Sequence, residues 1–175
     1  MTILVTGANG LIGSHIVRSL LKRDYSVRAF VRDNADLRNL DGLNVELVRG
    51  DLLKASSIVD AATGCKAIIH TAGLISTSPY NRWRVWEVNF VGATNVLTAA
   101  HVTGVEKVIY TASIFTLGVS VNGQAVAEDV EDNLRQLRFT YIAARRAAQA
   151  KAEKRPFART IHQPFHHQLR RPFLP

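Results

Sequence analysis

Three glycines carry the first chemistry that can be read from this chain. Thr6-Gly7-Ala8-Asn9-Gly10-Leu11-Ile12-Gly13 spaces them G-x-x-G-x-x-G. An apolar run, residues 2–6, comes before them, and residues 11, 12, 16, 17, 20 and 21 are apolar after them. That pattern places the glycines between a strand and a helix, the context a dinucleotide fingerprint requires. Gly7 permits the tight turn out of the strand. Gly10 lets the backbone approach a pyrophosphate, and Gly13 lets the helix pack close to the sheet. Asn9, Leu11 and Ile12 complete the expected cofactor loop. Its free backbone N–H groups and the helix dipole then hold the phosphates.

Two further positions would refine the choice of dinucleotide. The residue ending the second strand selects for the adenosine ribose: an acid suits the hydroxyls of NAD, and an arginine suits the 2′-phosphate of NADP. Here the run is Val31-Arg32-Asp33. Arg32 in that place favours NADP(H) over NAD(H). The alternative is a solvated Arg32, with Asp33 on the ribose. Asp51-Leu52, after the third strand, suits an adenine edge, although Asp51 also reads as the N-cap of the next helix.

These groups need elements to hold them. Strands are expected at 2–6, 26–31, 45–48, 67–70 and 105–111. Helices are expected at 11–22, 55–62, 83–101 and 141–154. Strands alternating with helices imply a parallel sheet with right-handed crossovers, an α/β doubly wound fold. The 175 residues are 47% hydrophobic and 21% charged, which excludes disorder and low-complexity classes. The length suits one domain. No apolar run approaches the ~18 residues of a membrane span. The start reads as a strand and not as a secretory signal. With one cysteine, Cys65, nothing needs an oxidising compartment, and a cytoplasmic location is the default expectation.

Taken in order, the motifs resemble the extended short-chain dehydrogenase/reductase family, the NAD-dependent epimerase/dehydratase group. The resemblance covers residues 1 to about 154 and lies nearest to dihydroflavonol-reductase-like enzymes and hopanoid-associated sugar epimerases. It is carried by the glycine loop, Gly50-Asp51-Leu52, His70-Thr71-Ala72-Gly73, Asn89 to Asn95 and Tyr110 to Gly118. It implies a Rossmann domain followed by a substrate domain. Thr71, Ala72 and Gly73 would then lie along the cofactor. Asn89, assigned to the cofactor site, and Asn95 would brace the active site. Ser113 would hydrogen-bond the reacting carbonyl or hydroxyl of a small-molecule substrate. Tyr141 would move the substrate proton while hydride passes to or from nicotinamide. A free phenol ionises near ~10, so the family sets a lysine one helical turn on to favour phenolate. The resemblance also allows a homodimer built on the helices of Trp83 and Tyr141.

The chain departs from the pattern twice. In Tyr141-Ile-Ala-Ala-Arg145, arginine holds the lysine position. The charge survives, but a planar fork is not a compact ammonium. Activity is therefore expected to be strongly reduced or absent, leaving a catalytically impaired dinucleotide-binding fragment as the alternative. From about residue 155 the family would continue with a sixth strand and a substrate domain. Residues 155–175 instead read as a basic tail with four of the five prolines, which break helical and strand patterns alike. Residues 151–175 contribute +5 of the net +8. A truncated or frame-shifted reading would produce such a tail, and a genuine partner-binding extension is the other reading. Charge alone does not make a nucleic-acid site, so none is expected. His162, His166 and His167 are not expected to bind metal, because Pro164 disfavours the helix that would align the first two.

Overall fold

A computed structural model describes residues 1–117 and 139–161, the side chains of 159–161 excepted. The strands are β1 (Thr2–Thr6), β2 (Ser26–Val31), β3 (Glu46–Arg49), β4 (Ala67–His70), β5 (Lys107–Thr111) and β6 (Ala158–Ile161). They form one sheet in the order β3-β2-β1-β4-β5-β6, with every pairing parallel. The helices are α1 (Leu11–Leu21), α2 (Ala55–Ala62), α3 (Arg82–Trp86), α4 (Gly92–Val102) and α5 (Thr140–Glu153). The strand order reverses between β1 and β4. In a doubly wound sheet, ligands bind at that switch, beyond the carboxyl ends of the strands.

Alternation along each strand divides the core into two layers. Leu4, Ile68, Val108 and Tyr110 pack with buried residues of α2, α4 and α5. Ile3, Val5, Ala67, Ile69 and Ile109 pack with α1 and the segment from Ala35 to Val45. A sheet covered on both faces explains why β1 and β4 are nearly continuous in apolar residues. In α5, Tyr141, Arg145, Ala148 and Ala152 repeat at intervals of four, three and four, and all are buried. The alanines let the helix lie close to the sheet. The first turn lowers Tyr141 and Ile142 onto Val85 of α3 and Leu74.

Two expected features differ from what forms. The helix expected over 83–101 runs from Arg82 to Val102, but Glu87–Val91 winds as a π-helix between α3 and α4. Such wider turns are often found at functional sites. The second correction concerns the boundary near 154. Residues 158–161 form a strand paired with Val108–Thr111. The signal is weak in the sequence because four residues are too few to show alternation, and β5 supplies the pairing from far along the chain. Pro156 precedes the strand, so it costs no ladder bond. The histidines at 162, 166 and 167 lie outside the described residues, as do residues 118–133.

Candidate dinucleotide site and catalytic cluster

The glycine loop leaves β1 with φ +69° at Gly7, which favours a residue without a Cβ. A Cβ there would also lie 2.8 Å from the backbone of Ala72. The β1 and β4 ends thus touch directly, and the Thr71 N–H and hydroxyl both donate to the Thr6 carbonyl, at 3.2 and 2.7 Å. At Gly13 a Cβ would sit 2.1 Å from the Gly7 carbonyl oxygen, so α1 can begin here only with glycine. Gly10 is different: a Cβ there would meet only that same carbonyl, at 3.3 Å. Its outer side is open. Gly10 caps α1 without a side-chain hydrogen bond, so the first-turn N–H groups of the helix face outward. Leu11 is 74% exposed and Ile12 41%. Asn9 donates to the Asp36 carbonyl and accepts from Asn39, tying the loop to the segment after β2. These features fit a pyrophosphate.

Beyond β2 lies an open cleft of about 280 Å³ lined by Arg32, Asp33, Asn34, Gly50 and Asp51. Arg32 and Asp33 are both exposed there. Arg49, which sequence reasoning passed over, donates to the carbonyls of Arg32 and Asp33 and holds the bend. Gly50 has no Cβ because the Phe30 ring is 2.6 Å from where one would stand. Asp51 is not the helix N-cap. That place belongs to Lys54, and the Asp51 carboxylate accepts from the Leu53 N–H at 2.9 Å. The Leu52 side chain turns into the core against Gly92, and its carbonyl accepts from Asn95 at 2.8 Å.

The second cluster lies past β4 and β5. Asn89, fully buried in the π turn, clamps the segment after β4. It donates to the carbonyls of Leu74 and Val85 and accepts from the Leu74 N–H. It is therefore a brace in this structure. Gly73 follows the same logic: a Cβ there would lie 2.9 Å from Asn89 Oδ1 and 3.1 Å from Arg145 Nη2. Ser113 is buried just after β5, and its hydroxyl accepts from the Phe115 N–H at 3.3 Å. Tyr141 and Arg145 meet as helical spacing predicts, with Arg145 Nε 3.4 Å from the Tyr141 hydroxyl.

One partner had not been anticipated. Arg145 Nη1 lies 3.4 Å from the hydroxyl of Tyr110, and its Cζ is 5.7 Å from the ring centroids of both Tyr110 and Tyr141. A guanidinium beside two aromatic rings gains from their quadrupoles. Burial disfavours the Arg145 charge, but the facing Tyr110 and Tyr141 groups outweigh it and hold the guanidinium above its ordinary value. Burial pushes the Tyr110 phenol up, against the pull of Arg145. The strand registers put Thr6, His70 and Tyr110 side by side. Thr6 and His70 share a 2.7 Å hydrogen bond, and the His70 and Tyr110 rings stack at 5.8 Å. His70 Nε2 is buried with no partner among the described residues. Burial first, and then the Arg145 charge, push His70 down to about 3. It is neutral near pH 7. The signal for Tyr110 was its place as an inward residue near the end of its strand, which alternation alone reads as core.

With the geometry in view, known proteins resolve the lineage. The model of the NAD dependent epimerase/dehydratase family matches residues 3–155.

The chain belongs to the NAD-dependent epimerase/dehydratase family.

Sterol demethylase protein B of Methylococcus capsulatus is 42% identical over 123 residues, 70% of this chain and 38% of that protein. Among solved structures, that of gox2253 matches with a TM-score of 0.83 at 31% identity, over 92% of this chain and 50% of that one. The UDP-glucose 4-epimerase of Thermus thermophilus, in complex with NAD, matches with a TM-score of 0.76 at 27% identity, over 87% of this chain and 50% of that one. This family member thus spans about half of those solved chains and less than half of that curated relative. Its fold is the family's Rossmann-like α/β sheet. Among the described residues no helix is long and apolar enough to cross a membrane.

Proposed function

We propose that this chain binds NADP(H) in preference to NAD(H), and that Ser113, Tyr141 and Arg145 form the proton-transfer site of an extended short-chain reductase, epimerase or dehydratase. The substrate would be a small molecule or nucleotide sugar with a carbonyl or hydroxyl carbon. The observation that carries the reading is the pairing of two sites along one strand edge. The glycine cradle stands at the end of β1, and Tyr141 with its Arg145 partner stands over the ends of β4 and β5.

A bound nicotinamide would supply or accept the hydride. The protein's own groups do the rest. Gly7, Gly10 and Gly13 shape the phosphate cradle, and the α1 dipole favours its negative charge. Arg32 supports the NADP preference, because it stands exposed in the cleft where a 2′-phosphate would lie. Tyr141 holds the proton that the substrate oxygen gains or loses. Arg145 Nε donates toward the Tyr141 oxygen and steadies negative charge on it. Ser113 would hydrogen-bond the substrate oxygen.

Calorimetric titration of the 175-residue chain with NADPH, then NADH, tests the reading. Saturable binding with NADPH preferred is the expected result. Binding of neither overturns it. Arg145 in the lysine position favours a second reading, in which the dinucleotide binds without turnover. Arg145→Lys then raises turnover from a negligible level. Turnover that is lost in Tyr141→Phe yet unchanged in Arg145→Lys would overturn that second reading.

A further inference from the structure

Arginine is a poor copy of lysine. Its planar fork presents donors along two edges, where an ammonium presents one compact charge. At position 145 the fork is divided between two phenols. Nε faces Tyr141 and Nη1 faces Tyr110, each at 3.4 Å. The Tyr110 hydroxyl in turn lies 3.5 Å from the Arg145 carbonyl oxygen. Tyr110 is itself immobilised. It is 1% exposed, it stacks on His70, and Thr6 holds His70. Gly73 leaves the third side of the guanidinium free of a Cβ.

We propose that Tyr110 is a positioning residue: its hydroxyl takes the Nη1 arm of Arg145 and so turns the Nε edge toward Tyr141. This rests on the reading of Tyr141 and Arg145 as part of the active site. Core packing would need only the ring of Tyr110. Positioning needs its oxygen, and Tyr110→Phe separates the two because the ring, its stacking and its cation–π face all remain.

The first readout does not depend on cofactor or turnover. Nitrogen-15 spectra of the full chain, labelled at arginine, identify the Arg145 Nε–H signal by its loss in Arg145→Lys. A pinned guanidinium gives slow solvent exchange and distinct Nη signals. In Tyr110→Phe the Nη signals should merge and exchange should quicken by tenfold or so, about the value of one hydrogen bond to a charged group. An unchanged Arg145 spectrum in Tyr110→Phe overturns the proposal.

The second readout is calorimetry of both proteins with NADPH and with 2′,5′-ADP, which carries only the adenosine half. Tyr110→Phe should weaken NADPH about fivefold, the size of one ordinary hydrogen bond, and leave 2′,5′-ADP unchanged. A released guanidinium with unchanged NADPH affinity would show that the Tyr110 hydroxyl holds Arg145 without serving the cofactor site, and it overturns the positioning role. If the wild-type chain binds neither ligand, the cofactor reading has failed, and the arginine spectrum alone decides between a held and a free guanidinium.

Discussion

At the Gly7 end the candidate ligand surface is backbone, and Gly7 and Gly13 leave no room for a Cβ. At the Arg145 end it is side chains, gathered from the strand at Tyr110, the turn at Gly73, the π turn at Asn89 and the helix at Tyr141. The backbone end is local. Gly7, Gly10 and Gly13 lie within one turn and one helix start; Gly10 and Gly13 are limited by the Gly7 carbonyl, and only Gly7 also meets a distant segment, at Ala72. The side-chain end depends on parallel register: Thr6, His70 and Tyr110 are far apart in sequence and adjacent in space only because β1, β4 and β5 pair. A surface of the first kind tolerates no Cβ at Gly7 or Gly13. In a surface of the second kind, neighbouring side chains meet the group that is present, as Tyr110 and Tyr141 meet Arg145.

The largest test of this contrast is acid. His70 has a folded pKa pushed down to about 3, so the unfolded chain binds its proton first as pH falls below the ordinary ~6.5. Stability should then fall between about pH 6.5 and 3, with an upper limit of about 5 kcal/mol from this group, and no further below 3. Urea denaturation of the wild type and His70→Asn across that range measures it. The variant should show the shallower slope, and equal slopes would remove His70 from the side-chain end's energetics.

Next comes the backbone end. Gly13→Ala forces a Cβ to within 2.1 Å of the Gly7 oxygen. The chain should lose about 3 kcal/mol, as overpacked sites do, and NADPH binding should vanish. Tolerance of alanine, seen as an unchanged denaturation midpoint and intact titration, would show that the cradle is softer than its geometry.

A smaller effect sharpens the choice of ligand. Arg32→Ala should weaken NADPH about tenfold, or about 1.4 kcal/mol, and leave NADH unchanged. Equal losses for both would move the selectivity to another group in the cleft, with Arg49 the first to examine.

The smallest change is expected in stability at the other end. Arg145→Met removes a buried charge whose desolvation opposes folding, together with two long hydrogen bonds at 3.4 Å. The denaturation midpoint should stay within about 1 kcal/mol of wild type while nicotinamide-dependent binding falls. A loss above about 2 kcal/mol would make Arg145 a structural residue, and the contrast between the two ends would shrink.

By itself the sequence determined the glycine cradle, the alternation of strands and helices, the Tyr141–Arg145 pair and the cleft residue Arg32. Each of these rests on neighbours within one turn of helix or a few residues of strand. Turn sterics, hydrophobic periodicity and helical spacing are local rules. The tertiary structure decided what depends on pairing across the chain. It added β6 after α5, because β5 offers an edge that four residues can join. It moved Asp51 from cap to turn, because Lys54 sits at the helix start. It made Asn89 a clamp, by winding a π turn over the segment after β4. It also set Tyr110 beside Arg145. No spacing rule links residues 110 and 145, and only the register of β5 and the packing of α5 across the sheet bring that phenol to the guanidinium.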